Sequence, residues 1–527
     1  MLTPMSAFAR IQQAQQSLKA SAGSDAIRHI LIVGGGSAGW MSAAAFSNVL
    51  GPGCRITLVE SEDIGTVGVG EATIPTIRLL NQTMGVDERV FLRDTQGTFK
   101  LGIEFVNWGR TDHRYFHPFG FLGIPFDALP VHQHWLRHRS APETGSLDDY
   151  FLAWQAARLG RFEFPTPQPQ ELSSTFNYAF HFDASLYAQH LKSLSVQRGV
   201  QRVEGKITQV LRHPQSGFVT GVQMANGEVL EADFFIDCSG FRSLLLGDAL
   251  QVDYESWSGW LPCDRAVAMP CSLEGAPVPY TRSTALAAGW QWTIPLRHRV
   301  GNGYVFSTAF ISEDEATGVL QSRLPGTALG EPRLLKFTPG RRAKAWDKNV
   351  LALGLASGFL EPLESTSLHL VHSGITTLLS LFPDKHCDDA LRREYNRRFA
   401  IEMERIRDFI ILHYTLNQRD EKEMWRYCAH MSLPDSLQER MTLFKHSGHV
   451  QIDNYDLFGA ESWLAVHLGQ FHFPEKHSPL LEMRRTDGRA GLARLRQALL
   501  ETAKAMPSHA DFLASYLQAP RPNFAMP

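Results

Sequence analysis

Two segments far apart in the chain carry residue types that do chemistry together. Gly34-Gly35-Gly36-Ser37-Ala38-Gly39-Trp40 has the G-x-G-x-x-G spacing of a loop that seats a dinucleotide pyrophosphate. Phe359-Leu360-Glu361-Pro362-Leu363-Glu364-Ser365-Thr366-Ser367 sets carboxylates beside a run of hydroxyls at what reads as a helix entrance. The first segment would hold a redox cofactor. The second would put a proton acceptor next to an anion held by free helix amides.

The elements that position the first segment are legible. His29-Ile30-Leu31-Ile32-Val33 is a short apolar run feeding into the glycines, residues 38–49 carry small and apolar side chains at helical spacing, and Arg55-Ile56-Thr57-Leu58-Val59-Glu60 is a second strand ending in an acid. That acid lies about 20 residues beyond the turn, as in a dinucleotide-binding βαβ unit. Gly34 permits the turn, Gly36 lets backbone approach the pyrophosphate, Gly39 packs helix on strand, and Ser37 and Ala38 open the helix whose amides face the phosphates. Glu60 would accept the ribose hydroxyls and repel a 2′-phosphate.

A flavin is expected rather than a nicotinamide, because further glycine loops follow. Residues 66–73, with Gly70 and Ala72, form one; residues 236–240 and 353–359 are strand-to-glycine turns whose Leu353 and Gly358, with Leu368 beyond them, supply distal contacts to an extended FAD. No second G-x-G-x-x-G exists for a reduced nicotinamide, so the electrons are expected as reduced flavin made by another protein.

The predicted fold is α/β: a Rossmann-like FAD-binding fold with an interleaved mixed β-sheet, similar to flavin monooxygenases, plus a C-terminal helical subdomain. Residues 1–28 read as a tail, 29–385 as the FAD-binding core and 386–527 as a mainly helical region covering the substrate. Within the core the pattern predicts a helix over 184–196, strands over 201–210, 217–224 and 229–235 with a hairpin turn at Asn226-Gly227, and a strand over 349–354. A long amphipathic helix spans 389–414.

Composition narrows the partners. A chain of 527 residues with 44% hydrophobic residues, net charge −3 and pI near 6.7 has no electrostatic reason to bind nucleic acid or an anionic membrane surface. Six scattered cysteines without a CxxC pair, no signal-peptide run in the first 28 residues and no apolar window of about 20 residues predict a cytoplasmic protein with no membrane span. His113, His132, His134 and His138 cluster without an acidic ligand pattern, so no metal is expected and a solvated, aromatic-flanked loop or helix is.

Residues 34–40 and 67–73, Thr98-Phe99-Lys100, Tyr115-Phe116-His117-Pro118-Phe119-Gly120, Gly289-Trp290-Gln291-Trp292-Thr293-Ile294-Pro295 and residues 361–367 together resemble the flavin-dependent tryptophan halogenase family, from the first strand to about Gly469. The resemblance implies that reduced FAD and O2 give a flavin hydroperoxide, that chloride or bromide attacks it, and that the resulting hypohalous acid travels through the protein to an aromatic substrate. A separate NAD(P)H-dependent flavin reductase would supply FADH2, and a homodimer is implied. Bromide, the more easily oxidised halide, is the expected preference.

Lys100 matches the family's catalytic lysine, which hydrogen-bonds hypohalous acid or forms a haloamine; without the match it would read as a snorkelling surface lysine. Glu364 matches the base that takes the ring proton; without the match it is a helix first-turn carboxylate. Thr366 and Ser367 would hold the halide, Ser367 standing where the family usually has glycine. His117, Phe119, Tyr414 and Trp425 would pack the substrate, and Trp290 and Trp292 would keep it off the flavin.

Members that take free tryptophan carry Tyr-Tyr, a Glu and Phe-Trp in a C-terminal stretch. The comparable residues 413–425 keep Tyr414 and Trp425 but differ at His413, Asp420 and Met424, which predicts an indole or another electron-rich aromatic lacking the zwitterion. Two alternatives stay open: a flavin-dependent aromatic hydroxylase, which would not need Lys100, and a non-catalytic flavin-binding protein.

Overall fold

The computed structural model describes residues 25–62 and 70–518. Most of the predicted tail and the first part of the predicted loop at 66–73 therefore lie outside the described residues. The apolar run His29–Val33 becomes the interior strand of a six-stranded sheet, buried from Ile30 onward as a strand covered on both faces must be. It pairs in parallel with Arg55–Glu60 on one side and with Phe234–Asp237 on the other, and Gln201–Glu204 and Val350–Ala352 extend the sheet outward. Only the edge strand Trp346–Asp347 runs antiparallel. Helix Ser37–Leu50 packs against helix Ala184–Gln197, whose start is capped by Asp183 accepting from the amides of Ser185 and Leu186.

Two predicted strands are each divided between sheets. The predicted 201–210 strand breaks at Gly205 (φ +145°), so Gln201–Glu204 joins the parallel sheet and Ile207–Arg212 joins a separate antiparallel meander with Val219–Met224 and Val229–Glu231. The predicted 229–235 strand likewise parts into Val229–Glu231 and Phe234–Asp237. The turn at Asn226-Gly227 closes the meander's hairpin, with Gly227 at φ +88°.

A mixed seven-stranded sheet forms the second layer, ordered Arg333–Lys336, Arg265–Ala268, Val300–Phe306, Gly289–Pro295, Thr281–Leu286, Gly102–Val106 and Arg114–Pro118. Its single parallel pairing joins Thr281–Leu286 to Gly102–Val106. A small sheet of Gly70–Ala72, Ala179–Asp183 and Thr98–Lys100 carries Lys100, opposite Ala179.

Beyond residue 388 the chain is helical. Helix Asp389–Thr415 runs past both layers, Ala460–Gly469 packs on the strand Arg114–Pro118, and His509 at the start of the last described helix accepts from the amide of Phe99 at 3.2 Å, next to Lys100. No helix of the described residues is long and apolar enough to cross a membrane.

Candidate active site

The parallel strands end on a cavity of about 970 Å³, where open α/β sheets bind their ligands. Gly34, Gly36, Ser37, Ala38, Glu60, Gly70, Ala72, Leu353, Gly358 and Leu368 all line it; Gly39 lies behind the loop. Gly34 sits at φ +112°, and a Cβ there would come within 2.2 Å of the Cys238 carbonyl oxygen. One on Gly39 would lie 1.8 Å from the Gly34 carbonyl oxygen. The helix that follows has no side-chain cap and no acid in its first turn, so its leading amides are left for an anion. An uncapped helix start, a glycine turn and a long cavity fit FAD.

Glu60 departs from expectation. Its Oε1 accepts from Lys192 Nζ at 2.9 Å and Arg202 Nε at 2.5 Å, and its Oε2 from Trp40 Nε1 at 3.2 Å. Burial raises its pKa, but Arg202 and Lys192 outweigh that and hold the carboxyl below its usual range. With two cations balancing its charge, the expected repulsion of a 2′-phosphate loses its basis.

A second centre adjoins the cavity. Lys100 is fully buried, which excludes a snorkelling surface lysine; its Nζ donates to Ser365 Oγ at 2.9 Å and lies 5.1 Å from the centre of the Phe119 ring. Burial lowers its pKa from 10.5 to about 7, against the support of Glu364 and Glu71. Glu364 is also fully buried. His117 Nδ1 lies 2.8 Å from its Oε2, and His413 Nε2 lies 2.8 Å from its Oε1 but off the line of a hydrogen bond. Burial alone would raise this carboxyl; His117 and His413 outweigh it and bring it to about 2.

Ser365 links the two compartments. It lines the cofactor cavity and holds Lys100 from a left-handed backbone conformation (φ +59°). Thr366 follows with its hydroxyl buried and unpartnered, and Ser367 begins helix Ser367–Ser380, which has no side-chain cap.

The predicted substrate residues separate. His117 and Phe119 flank the Lys100–Glu364 centre, 6.4 Å apart between ring centres. Tyr414 and Trp425 do not join them: both are fully buried against Trp108, the Tyr414 hydroxyl donating to Glu361 Oε2 at 2.6 Å and Trp425 Nε1 to the Leu286 carbonyl at 2.7 Å. Both pack in the core around Trp108, away from Lys100 and Glu364. Phe409 and Phe458, stacked at 4.0 Å, are the rings that face His117 instead, and Ser462 Oγ lies 2.9 Å from His117 Nε2. Sequence reasoning missed Ser462, Phe409 and Phe458. It read His413 only as a departure and Ser365 only as one of a run of hydroxyls at a helix entrance, and no local signal marks any of them.

The histidine cluster lies elsewhere. His132, His134 and His138 sit on helix Val131–His138, and His134 is buried 4.8 Å from the Phe126 ring rather than solvated. Among the described residues no group of three or more His, Cys, Asp or Glu side chains could hold a metal ion.

Comparison with known proteins places this geometry. The tryptophan halogenase family matches residues 29–486. The chain is 35% identical over 495 residues to tryptophan 7-halogenase KtzQ of Kutzneria sp. (strain 744), covering 87% of this chain and 92% of that protein. The structure of Xcc4156, a flavin-dependent halogenase from Xanthomonas campestris, superimposes with a TM-score of 0.90 at 44% identity over 94% of this chain and all of that one (100%). BrvH, a flavin-dependent halogenase from Brevundimonas sp. BAL3, does so with a TM-score of 0.89 at 43% identity over 93% of this chain and 99% of that one.

Proposed function

From the premise that this chain belongs to the tryptophan halogenase family and is a flavin-dependent halogenase of aromatic substrates, we propose that Lys100 and Glu364 are its catalytic pair and an indole, or another electron-rich aromatic without a zwitterion, its substrate. The observation that carries the assignment is Ser365, which touches the cofactor cavity on one side and the buried Lys100 ammonium on the other.

FAD would lie along the cavity, its pyrophosphate on the amides that follow Gly34 and its distal part against residues 353–360. Bound and reduced, it supplies the electrons with which O2 oxidises a halide to hypohalous acid. Thr366, whose hydroxyl is buried without a partner, and the uncapped helix start at Ser367 suit a halide; bromide is put ahead of chloride because it is the more easily oxidised. Trp290 and Trp292 wall the cavity and keep an organic substrate from the cofactor.

Lys100 Nζ donates to the oxygen of hypohalous acid, which makes the halogen electrophilic and the departing hydroxide a water. The arene attacks the halogen, and Glu364 takes the ring proton and stabilises the cationic intermediate while ionised. His117, Phe119, Phe409 and Phe458 offer aromatic faces to the substrate. The differences at His413, Asp420 and Met424 from the stretch that members taking free tryptophan carry support a substrate without the zwitterion. A separate NAD(P)H-dependent flavin reductase supplies the reduced flavin.

The test is mass spectrometry of an aromatic panel incubated with enzyme, FAD, a flavin reductase, NADH and each halide in turn. A halogenated indole-type product that requires halide is expected. A hydroxylated product formed with or without halide would refute the proposal.

A further inference from the structure

We propose that His509 is a positioning residue that holds the strand Thr98–Lys100, and with it the Lys100 ammonium, by standing in for a backbone partner at the strand's open edge. The inference rests on the assignment of Lys100 and adds to it a residue from the far end of the chain.

Thr98–Lys100 is the edge strand of its small sheet, paired on one side with Ala179–Asp183. Phe180, opposite Phe99, turns its own amide and carbonyl away, to Thr73. The amide of Phe99 therefore points off the open edge. Two residues on, the Leu101 amide donates to the Pro279 carbonyl at 2.8 Å. The same two-residue step would carry the Phe99 amide to the Pro277 carbonyl, but the imidazole of His509 stands between them. Its Nε2 accepts from the Phe99 amide at 3.2 Å, and its Nδ1 lies 2.8 Å from the Pro277 carbonyl oxygen.

The two partners fix the state of the ring. A backbone amide only donates and a carbonyl only accepts, so the proton sits on Nδ1 and the lone pair on Nε2. The ring is buried, and burial lowers its pKa to about 4 and keeps it neutral. It is presented from a fixed frame: the His509 amide donates to the Gly160 carbonyl at 2.8 Å, the Phe162 amide donates to the Pro507 carbonyl at 3.2 Å, and the Phe162 ring stacks on Phe99 at 4.1 Å. Without Nε2 the Phe99 amide is a buried donor with no acceptor, which the strand relieves only by moving. Lys100 is the next residue, its side chain on the opposite face and its Nζ held 2.9 Å from Ser365 Oγ, so any such movement reaches the ammonium.

His509→Gln and His509→Asn separate the two bonds. The Gln carbonyl oxygen reaches the place of Nε2 and accepts from the Phe99 amide; the shorter Asn amide reaches only the place of Nδ1 and donates to Pro277. The expected result is that His509→Gln keeps the rate of halogenated product while His509→Asn loses roughly tenfold in kcat, with KM for indole, FAD affinity and flavin reoxidation as in the wild type. Hydrogen exchange of the full-length protein should find the Phe99 amide protected in the wild type and in His509→Gln, and exchanging about tenfold faster in His509→Asn. Nitrogen-15 NMR should show His509 of the wild type as the neutral Nδ1–H tautomer. A residue that only anchors the C-terminal helix through Pro277 would give the reverse order of the two variants. That order, equal losses in both, or a Phe99 amide that exchanges alike in all three proteins would overturn the proposal, as would an Nε2–H tautomer or an imidazolium. The tautomer is read on the wild type and so does not depend on either variant folding. Exchange and tautomer need no turnover, so their failure is distinguishable from failure of the Lys100 assignment, which would appear as halogenated product from Lys100→Ala.

Discussion

Raising the pH should switch off halogenation at a point that Lys100 dictates. In the proposed mechanism the ammonium is the form that donates to hypohalous acid, and burial favours the neutral amine, lowering the pKa from 10.5 to about 7. The cation is thus present below about 7 and lost above it, so the rate of halogenated product should fall about tenfold per pH unit on the alkaline side, leaving about 1% by two units above the midpoint. An ordinary lysine would place that limb more than three pH units higher. Glu71, at the cavity wall, is one of the two carboxylates that support the Lys100 charge. Glu71→Gln removes that support without touching the base, and should move the limb down by roughly one unit. The assay is the initial rate of brominated indole, with FADH2 generated photochemically so that a reductase's own pH dependence does not intrude. Flavin reoxidation is followed in parallel and should lack the limb. A limb near 10, one unmoved by Glu71→Gln, or the same limb in flavin reoxidation would refute the reasoning.

Lys100→Ala should abolish halogenated product while flavin reoxidation continues; mass spectrometry and flavin absorbance measure the two separately. Glu364→Gln keeps the shape of the base but removes its charge, and should slow product formation by about 10²–10⁴-fold in the same assay, while FAD affinity stays as in the wild type. Gly39→Ala would drive a methyl group into the Gly34 carbonyl oxygen, 1.8 Å from the ideal Cβ position, and open the glycine turn. FAD affinity, followed by quenching of flavin fluorescence, should fall at least tenfold.

The nucleotide half was legible because its signals are local. An apolar run, glycines at fixed spacing and an acid at the end of the next strand lie within residues 29–60, and the strands His29–Val33 and Arg55–Glu60 have the predicted bounds. Gly205 escaped notice because the strand-like pattern continues through it, and only its backbone angle redirects the chain to another sheet. The Lys100 site was half legible. Three residues, Thr98–Lys100, make the strand that carries it, and nothing in so short a strand announces that its lysine is buried. The separation of Tyr414 from the Glu364 centre has a simple geometric cause. His413 and Tyr414 are neighbours on one helix, but successive side chains point about 100° apart, so His413 faces Glu364 while Tyr414 faces Glu361. Ser462 and Phe458 come from yet another part of the chain, brought to His117 by packing alone.

Glu361 and Glu364 show how the fold divides labour between two carboxylates three residues apart. Both are fully buried. Glu361 Oε2 accepts from Trp290 Nε1 at 2.7 Å and from the Tyr414 hydroxyl at 2.6 Å, both neutral donors, and burial pushes its pKa up to about 7. Glu364 has histidines on both sides and is brought down to about 2. Pairs of carboxyls whose environments push them apart mark different roles. A carboxyl that is half protonated near neutrality and tied to two aromatic side chains suits a brace: Glu361 fixes Trp290 at the cavity wall to the core around Tyr414. A carboxylate kept ionised suits a base, which must be unprotonated when the arene cation forms. The turn Pro362–Glu364 separates them, and the left-handed Ser365 follows, a conformation that costs a non-glycine residue about 1 kcal/mol or more. That conformation brings the Ser365 hydroxyl to Lys100 just as the chain leaves Glu364, so that the carboxylate and the helix entrance stand side by side with the Lys100 ammonium held between them and the cavity.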